Sequence, residues 1–382
     1  MFGRFGIAAL AVVFAGTAVA ETVIDVTSVG VAKTPVEIHV DNQVFADALR
    51  RNLELTGMFS VRPNGAIKVS GAVGGIRAVR DGKVVAMNEV FADDKSARMA
   101  ARRFSDGICE TFKGVKGFAC DRILCLNRGQ QAAKNTAIPA ELCVSYPDGG
   151  DIRQLTNDGK MIIFQRWMHG DDILYISDRN GAAQIWQMNV ATGKRSVKWS
   201  FKGTPTGIAV SPDGTKVAAV LSFQGNPELY VINITAGNWT RLTNTPYDVE
   251  GQPAWSPDGR RLAFVRGVNS QQIWMIDTVT KQERRLTSKG RKNVDPDWGA
   301  GDRIAYISGT EVMVMSVATG DKDAKAVAES ANWEHPSWAC DGRHLTASRD
   351  KALFLIDTEE GGDKPRQVFR ANGNWTAPCW ER

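Results

Sequence analysis

Short apolar stretches separated by turn residues recur along the chain beyond about residue 120. The clearest unit occupies residues 251–287, GQPAWSPDGRRLAFVRGVNSQQIWMIDTVTKQERRLT. Its pattern predicts four strands, at 252–255, 261–265, 272–276 and 283–287. The SPDG tetrapeptide is typical of a tight turn, because Pro fixes φ and Gly accepts a left-handed backbone. Four strands of about five residues cannot bury a face alone in water, so the unit predicts neighbours like itself.

The same unit recurs with a period of roughly 40 to 45 residues. Two independent sets of anchors mark it: a residue that ends the first strand, and a polar turn before the fourth strand. The first-strand anchors are Trp167, Val210, Trp255, Trp298, Trp338 and Trp380. The turns occupy 145–151, 189–194, 233–238, 277–282, 316–321 and 357–362. Six anchors of each kind predict an all-β six-bladed β-propeller.

The two sets of anchors are out of phase at the ends of this region. The first turn has no Trp-ended strand before it, and Trp380 has no turn after it. The C-terminal stretch 374–382, NWTAPCWER, is therefore predicted to supply the innermost strand of the blade whose other three strands begin near Asp121. Closure by both chain ends leaves no frayed sheet edge.

Residues 21–120 follow a different pattern and contain no Trp. Apolar positions three and four apart predict a helix at 41–54, capped by Asp41, and a second at about 95–112. Apolar stretches also predict strands at 21–26, 58–61, 66–73, 76–79 and 84–90. We therefore expect a small N-terminal α+β domain at 21–120, followed by the propeller at 121–382.

The second predicted helix carries a basic run, Arg98, Arg102 and Arg103. Such a run can form a docking patch, but it more often marks the solvated side of a helix. We favour the solvated side.

Residues 1–20 have the pattern of a secretory signal peptide. Arg4 precedes an apolar run, and Ala18-Val19-Ala20 forms a small-residue cleavage motif before Glu21. Cleavage is predicted between Ala20 and Glu21. The run is too short for a membrane span, so export of a mature chain without a transmembrane segment is expected.

Composition narrows the possible functions. The net charge is +5 over 382 residues and is spread along the chain, which gives no case for nucleic-acid binding. The six cysteines fit an oxidising compartment. A disulfide between Cys125 and Cys143 is preferred, because both are predicted on neighbouring strands of one blade. Other pairings, and buried free thiols, stay open; the remaining cysteines are Cys109, Cys120, Cys340 and Cys379.

Familiar catalytic and metal-binding motifs are missing from the sequence. It contains no G-x-S-x-G, H-E-x-x-H, phosphate-binding glycine loop or EF-hand pattern, so no cofactor, metal or catalytic residue is predicted. Asp213, Asp258 and Asp341 stand in turns and are interpreted as structural. The repeated Trp residues are expected to pack between blades rather than to stack on sugars.

Several stretches together resemble the TolB family, the periplasmic component of the Tol–Pal cell-envelope system. They are DALRRNLELTGMFSV at 47–61, FSDGICETFKGVKGFACDRILCLN at 104–127, ELCVSYPDGGDIRQLT at 141–156, and the SPDG blades. The resemblance covers essentially the whole predicted mature chain. The sequence departs from the family pattern at Val210, which replaces an aromatic anchor, in its cysteines, and in a short segment between Val61 and Ala66.

The resemblance implies a monomeric, non-catalytic scaffold in the periplasm. The propeller mouth would hold the peptidoglycan-associated lipoprotein Pal, and the first domain would engage the inner-membrane protein TolA. Mouth positions of that kind are Thr204, Gly207, Glu250, Gly251, Asp295 and His335.

Two other classes remain open from the sequence. One is an exported propeller enzyme, a glycan lyase, hydrolase or peptidase, that uses acidic residues and His in the channel. The other is a carbohydrate-binding propeller without Tol partners. For His335 itself, contact with a partner and simple solvation are equally compatible with its position.

Overall fold

A computed structural model describes residues 32–129, 139–223, 225–245, 249–359, 364–368 and 373–381. The predicted signal peptide, its cleavage point between Ala20 and Glu21, and the predicted strand at 21–26 lie outside the described residues. Within the ranges given above, no helix combines the length and apolar character needed to cross a membrane.

An α+β domain comes first. Its elements are β1 Thr34–Val40, α1 Gln43–Leu55, β2 Phe59–Val61, β3 Ile67–Gly71, β4 Ile76–Arg80, β5 Lys83–Met87 and α2 Asp94–Lys113. The five strands form one sheet in the order β2-β1-β3-β4-β5, in which β1 pairs in parallel with both of its neighbours. Both helices contribute to a single apolar core with the sheet, as expected for an α+β domain.

Both predicted helices are present, with small differences at their ends. The side chain of Asn42, rather than the predicted Asp41, accepts the backbone N–H of Phe45 and caps α1. A capping box between Asp93 and Ser96 begins α2, and Gly114 ends it with a φ of 69°. Strand β1, the second strand of the sheet, was not predicted.

Six four-stranded sheets follow, and each is one blade of a propeller. Blade 1 contains β6 Ile123–Asn127, β7 Glu141–Ser145 and β8 Arg153–Gln154. Blade 2 contains β9 Ile162–Trp167, β10 Asp172–Ser177, β11 Gln184–Asn189 and β12 Arg195–Trp199. Blade 3 contains β13 Thr204–Val210, β14 Lys216–Ser222, β15 Pro227–Asn233 and β16 Trp239–Arg241.

The remaining blades repeat this order. Blade 4 contains β17 Val249–Trp255, β18 Arg261–Arg266, β19 Gln272–Asp277 and β20 Glu283–Arg285. Blade 5 contains β21 Asn293–Gly299, β22 Arg303–Ser308, β23 Glu311–Ser316 and β24 Lys325–Ala326, with short 3-10 helices at Ala300–Asp302 and Gly320–Lys322. Blade 6 contains β25 Glu334–Trp338, β26 His344–Arg349, β27 Ala352–Asp357 and β28 Arg366–Gln367.

The last strand, β29 Trp375–Trp380, closes the ring. It pairs antiparallel with β6, with Trp375 opposite Asn127 and Trp380 opposite Ile123. Blade 1 therefore combines strands from both ends of the propeller region. The predicted six-bladed propeller and its closure by the C-terminal strand are confirmed.

Four of the anchor Trp residues contact the blade before their own. Indole N–H groups donate to backbone carbonyl oxygens of the preceding blade: Trp167 to Cys379 at 3.2 Å, Trp255 to Ala209 at 3.1 Å, and Trp338 to Asp297 at 3.1 Å. Arg side chains of the preceding blade stack on the same kind of ring: Arg122 on Trp167, Arg261 on Trp298, and Arg303 on Trp338. These residues pack between blades, as predicted.

The turn aspartates are structural. Asp213 accepts the Thr215 N–H, Asp258 accepts the Arg260 N–H, and Asp341 accepts the Arg343 N–H. Each carboxylate thereby fixes the turn that leads from the first strand of its blade to the second.

The basic run of α2 is not a solvated face. Arg102 is 0% exposed and donates to Asp148 and Asp151, which lie in the β7–β8 connection of blade 1. Arg98 also pairs with Asp151, while Arg103 stays half-exposed beside Glu89. The prediction of a solvated side was wrong for Arg98 and Arg102, because the propeller covers that face of the helix.

The cysteines carry free thiols in this structure. Cys125 on β6 and Cys143 on β7 are direct partners in the antiparallel register, and both are buried. Their disulfide stays a prediction.

Candidate functional site

The innermost strands of the six blades share one special position, three residues before each anchor. We call the set of residues at this position the channel ring. Its members are Phe164, Gly207, Gln252, Asp295, His335 and Ala377. In every blade the pairing between the innermost and second strands shifts register next to this position. Such bulges re-aim side chains, and five of the six ring residues line the channel.

The backbone of the channel ring is strained. All five non-glycine members adopt a left-handed conformation, with φ of 53° at Phe164, 73° at Gln252, 56° at Asp295, 51° at His335 and 50° at Ala377. A left-handed non-glycine residue costs about 1–3 kcal/mol and persists only where the surroundings enforce it. Backbone strain of this kind is concentrated at functional sites. Its repetition in the channel ring therefore indicates that the channel is the candidate functional site.

Three ring residues from three successive blades form one polar cluster. The Nδ1 atom of His335 lies 3.1 Å from an Asp295 carboxylate oxygen and 3.1 Å from the Gln252 amide nitrogen. The backbone N–H of His335 also donates to Asp295, at 3.1 Å. The cluster therefore links blades 4, 5 and 6 at the channel.

Electrostatics couples the two ionisable members of this cluster. Burial alone would lower the pKa of His335, but the facing Asp295 carboxylate outweighs burial and raises that pKa above its ordinary value. Burial alone would raise the pKa of Asp295, but the imidazole outweighs burial and lowers it. The geometry thus favours an ion pair in the channel.

Two cavities lie along the channel, and four ring residues line both: Phe164, Gln252, Asp295 and His335. The first cavity, of about 300 Å³, opens at the mouth, the end where the fourth strand of one blade connects to the innermost strand of the next. Thr206, Gln271, Lys292, Trp333 and Glu334 also line it. It combines apolar surface with hydrogen-bonding groups, as binding sites do.

The second cavity, of about 250 Å³, extends toward the SPDG turns. Arg128, Gln165 and Arg166 contribute polar groups to it. The side-chain carbonyl oxygen of Gln165 and, in the mouth cavity, the hydroxyl of Thr206 are buried without a hydrogen-bond partner among the described residues. Both cavities thus offer polar atoms to a ligand or to ordered water.

Two of the predicted site residues act as spacers. A Cβ at Gly207 would lie 2.7 Å from the backbone nitrogen of Gln252, and a Cβ at Gly251 would lie 2.3 Å from the carbonyl oxygen of Thr206. The innermost strands of blades 3 and 4 therefore approach so closely that only glycine fits.

Of the four other predicted site residues, two lie in the channel ring and two do not. Asp295 and His335 come together in the channel ring, whereas Thr204 is exposed at the start of β13 and lines neither cavity as described. Glu250 lies in β17 with its backbone opposite Val265. All six predicted mouth positions belong to the innermost strands β13, β17, β21 and β25.

The sequence interpretation missed Phe164, Gln252, Arg128 and Trp333. For Phe164 and Gln252 a signal existed, since both stand three residues before an anchor Trp, as Asp295 and His335 do. Nothing in the repeat marked Arg128 or Trp333. Throughout the described part of the chain, no group of three or more His, Cys, Asp or Glu side chains could hold a metal ion.

Comparison with known protein sequences gives a consistent family. The TolB β-propeller domain family matches residues 109–382. A curated TolB homolog of Chlorobium luteolum is 24% identical over 279 residues, which span 71% of this chain and 59% of that protein. The TolB homolog of Chlorobium chlorochromatii is 26% identical over 167 residues, 43% of this chain and 36% of that protein. The chain thus covers less than two thirds of these relatives.

Solved structures share the fold. The crystal structure of TolB from Acinetobacter baumannii superposes with a TM-score of 0.75 at 19% identity, covering 93% of this chain and 98% of that one. A putative TolB from Agrobacterium tumefaciens gives 0.51 at 19% identity, covering 65% and 88%. The nidogen/laminin complex gives 0.56 at 11% identity, covering 68% and 98%. The family match at residues 109–382 covers more than half of the chain, so the chain belongs to the TolB β-propeller domain family.

Proposed function

We propose that this protein is a non-catalytic periplasmic scaffold of the Tol–Pal type. In this proposal the propeller, residues 121–382, holds the lipoprotein Pal at its mouth. The N-terminal domain, residues 21–120, engages a TolA-like inner-membrane protein. The observation that carries the proposal is the mouth cavity with the strained His335–Asp295–Gln252 cluster at its base.

The mouth cavity has the composition of a protein-binding site. Phe164 and Trp333 give apolar surface, while Lys292, Glu334 and the channel cluster give charge and hydrogen bonds. Aromatic anchors surrounded by polar groups typically carry most of the free energy of a protein–protein contact. Phe164, Glu334 and the channel cluster lie on the innermost strands, while Lys292 and Trp333 directly precede such strands, so the site is largely positioned before binding, which lowers the entropic cost of association.

The described side-chain contacts of His335 include no hydroxyl or thiol nucleophile. Its described side-chain partners are a carboxylate and a carboxamide, and neither group is activated as a nucleophile by this arrangement. The ion pair instead fixes the shape and charge of the channel at the base of the mouth cavity.

Titration calorimetry with the purified Pal domain of the same organism tests the proposal. We expect His335→Ala and Asp295→Ala each to weaken Pal binding at least tenfold, since each removes one half of the ion pair. The matched control is Asp258→Ala in the SPDG turn of blade 4, at the other end of the innermost strand, which should leave the affinity unchanged. Absence of binding by the parent protein, or loss of binding only in the turn variant, would refute the proposal.

A further inference from the structure

A half-exposed aromatic cluster lies on the outer side of blade 3, across the sheet from the channel. Trp239 on the outermost strand β16 is 49% exposed. Its ring lies 5.7 Å from Phe223 in a stacked arrangement, 5.2 Å from Tyr230 and 6.3 Å from Phe201, measured between ring centroids. Phe201 comes from the connection between blades 2 and 3, so the cluster lies at the seam between them.

The propeller repeat does not require a Trp here. Trp239 stands opposite Ile232 in the register of its blade. The same register position holds Arg195 in blade 2, opposite Met188, and Glu283 in blade 4, opposite Ile276. Those two charged residues form ion pairs with Asp158 and Arg266. Of these three blades, only blade 3 has an exposed indole at this register position, where the other two have an ion-paired side chain.

The surroundings of the cluster are positively charged. Lys202 and Lys281 are exposed, and the ammonium of Lys198 lies 5.6 Å from the ring of Trp199 at the end of β12. The carboxylate on the adjacent strand β15, that of Glu228, is 2% exposed. It already accepts hydrogen bonds from Arg241 and Thr243, so this carboxylate does not offset the lysine charges at the surface.

Aromatic area and positive charge together define the chemistry of an occupant. We call the surface formed by Trp199, Phe201, Phe223 and Trp239 the aromatic rim. A half-exposed Trp held by three other rings offers apolar contact at little entropic cost, and Trp is the residue most enriched at binding hot spots. Uncompensated lysines steer acidic partners and repel basic ones.

We propose that the aromatic rim docks an acidic protein segment that carries apolar side chains. This is a second binding surface, on the outside of the propeller. It does not depend on the mouth or on Pal, and it lies on the opposite edge of the blade from the channel ring. A bound segment would cover the indole of Trp239 and place its carboxylates beside Lys198 and Lys202.

A defined peptide tests this chemistry. The probe is a short synthetic peptide of alternating glutamate and leucine, and a lysine–leucine peptide is its matched control. We expect the glutamate–leucine peptide to bind the parent protein, and Trp239→Ala to weaken that binding at least tenfold. The double variant Lys198→Glu/Lys202→Glu should also weaken it, more strongly at low salt than at high salt, because salt screens exposed charges.

Controls separate docking from folding. Lys325→Glu, on the outermost strand of blade 5, reverses an exposed charge away from the rim, and Val279→Ala shortens a side chain that is 77% exposed. Both should bind the peptide like the parent. Because Trp239 packs on other rings, thermal melts accompany every variant. If Trp239→Ala unfolds, the double lysine variant decides.

Several results would overturn the proposal. The first is no binding of the glutamate–leucine peptide, and the second is equal binding of the lysine–leucine peptide. The third is equal loss of binding in the Lys325→Glu control. Binding only of phosphatidylglycerol vesicles would assign the rim to a membrane surface, and binding only of N-acetylglucosamine oligomers would assign it to a glycan. A failure at the rim leaves Pal binding at the mouth unaffected, so the two proposals fail separately.

Discussion

His335 combines a strained backbone with a titratable side chain that contacts the neighbouring blade. Its φ is 51°, and its imidazole faces Asp295, whose φ is 56°. A left-handed backbone at either residue lowers the free energy of unfolding. The ion pair and the backbone hydrogen bond from His335 to Asp295 offset part of that loss. Strain and charge at the channel are therefore coupled in the same two residues.

This coupling predicts a pH dependence of stability. The pKa of His335 is raised in the folded state, so its contribution is fully present below the unfolded value of about 6.5. It is lost as the pH rises through the raised folded pKa. The pKa of Asp295 is lowered, so its contribution is lost only as the pH falls through that lowered value.

Urea unfolding of the parent and of His335→Asn at a series of pH values measures this dependence. Asn tolerates a left-handed backbone, so the variant removes the imidazole with little added strain. The difference in unfolding free energy should be largest in mildly acidic solution and should shrink toward alkaline pH. A difference that stays constant from acid to alkali would contradict the ion pair.

At the scale of elements, the contact between blades 5 and 6 depends on Gly299. Gly299 ends the innermost strand of blade 5, and a Cβ there would lie 2.7 Å from the indole of Trp338 in blade 6. That indole also donates a hydrogen bond back to blade 5. We expect Gly299→Ala to force the ring away and to lower the free energy of unfolding by about 1–3 kcal/mol.

The matched control for this substitution is Gly75→Ala. A Cβ at Gly75 has no atom within 4 Å, and its backbone is not left-handed. Denaturant unfolding of both variants gives the comparison. Equal stabilities for the two would mean that the blade 5–blade 6 contact adjusts freely and that Gly299 is not a spacer.

A second prediction for elements concerns the β6–β7 pair. Directly opposed residues on antiparallel strands have Cα atoms about 4.5–5.5 Å apart, within the range of a disulfide. Burial raises the pKa of the Cys143 thiol to about 12, and that of Cys125 well above its ordinary value. Thiolate is the reactive form, so oxidation must occur before folding buries the pair.

Peptide mass mapping without reductant tests this order of events. Protein folded during oxidation should show Cys125 linked to Cys143. Reduced protein that is already folded should resist both oxidation by glutathione disulfide and alkylation. Free alkylation of both residues, after denaturation of protein folded under oxidising conditions, would refute the pairing and leave the propeller unaffected.

At the scale of the whole molecule, the repeat made the propeller predictable, because six anchors at a regular spacing each indicate one blade. The anchor Trp380 even indicated closure, since it lacked a turn after it. Features outside the repeat were harder. Strand β1 was overlooked although Val36, Ile38 and Val40 alternate with the polar residues Glu37 and His39, and the cap of α1 moved by one residue to Asn42.

The channel ring and the domain contact show why the rest could not be predicted. The spacing before each anchor marks the ring position in the sequence, but a left-handed φ leaves no mark there when the residue is Phe, Gln or His, so only the structure shows the strained backbone. Arg102 resembles any solvated helix residue until blade 1 is placed against it. Both features arise from contacts between segments distant in sequence, which periodicity within one segment does not report.

Arg102 fixes the N-terminal domain to the propeller. Its guanidinium lies 3.0 Å from Asp148 and 2.8 Å from Asp151, and it stacks 4.0 Å from the ring of Tyr146. All of these partners belong to blade 1, so Arg102 connects α2 to the propeller, together with Arg98, which also pairs with Asp151. Bidentate contact with one carboxylate and stacking on a ring are geometries that arginine provides and lysine does not.

Arg102→Ala should therefore leave the buried Asp148 carboxylate without its cation and lower the free energy of unfolding by about 3–5 kcal/mol. Arg102→Lys should restore only part of this loss, because an ammonium lacks the planar fork. The control is Arg103→Ala on the same helix, whose side chain is 47% exposed and pairs with Glu89 at the surface; it should change stability by less than about 1 kcal/mol. Chemical unfolding of the three variants gives these values. If Arg102→Ala is as stable as Arg103→Ala, the domains are joined by other contacts, of which the Arg98–Asp151 ion pair and the hydrogen bond from Arg51 to the Val368 carbonyl oxygen are the next to test.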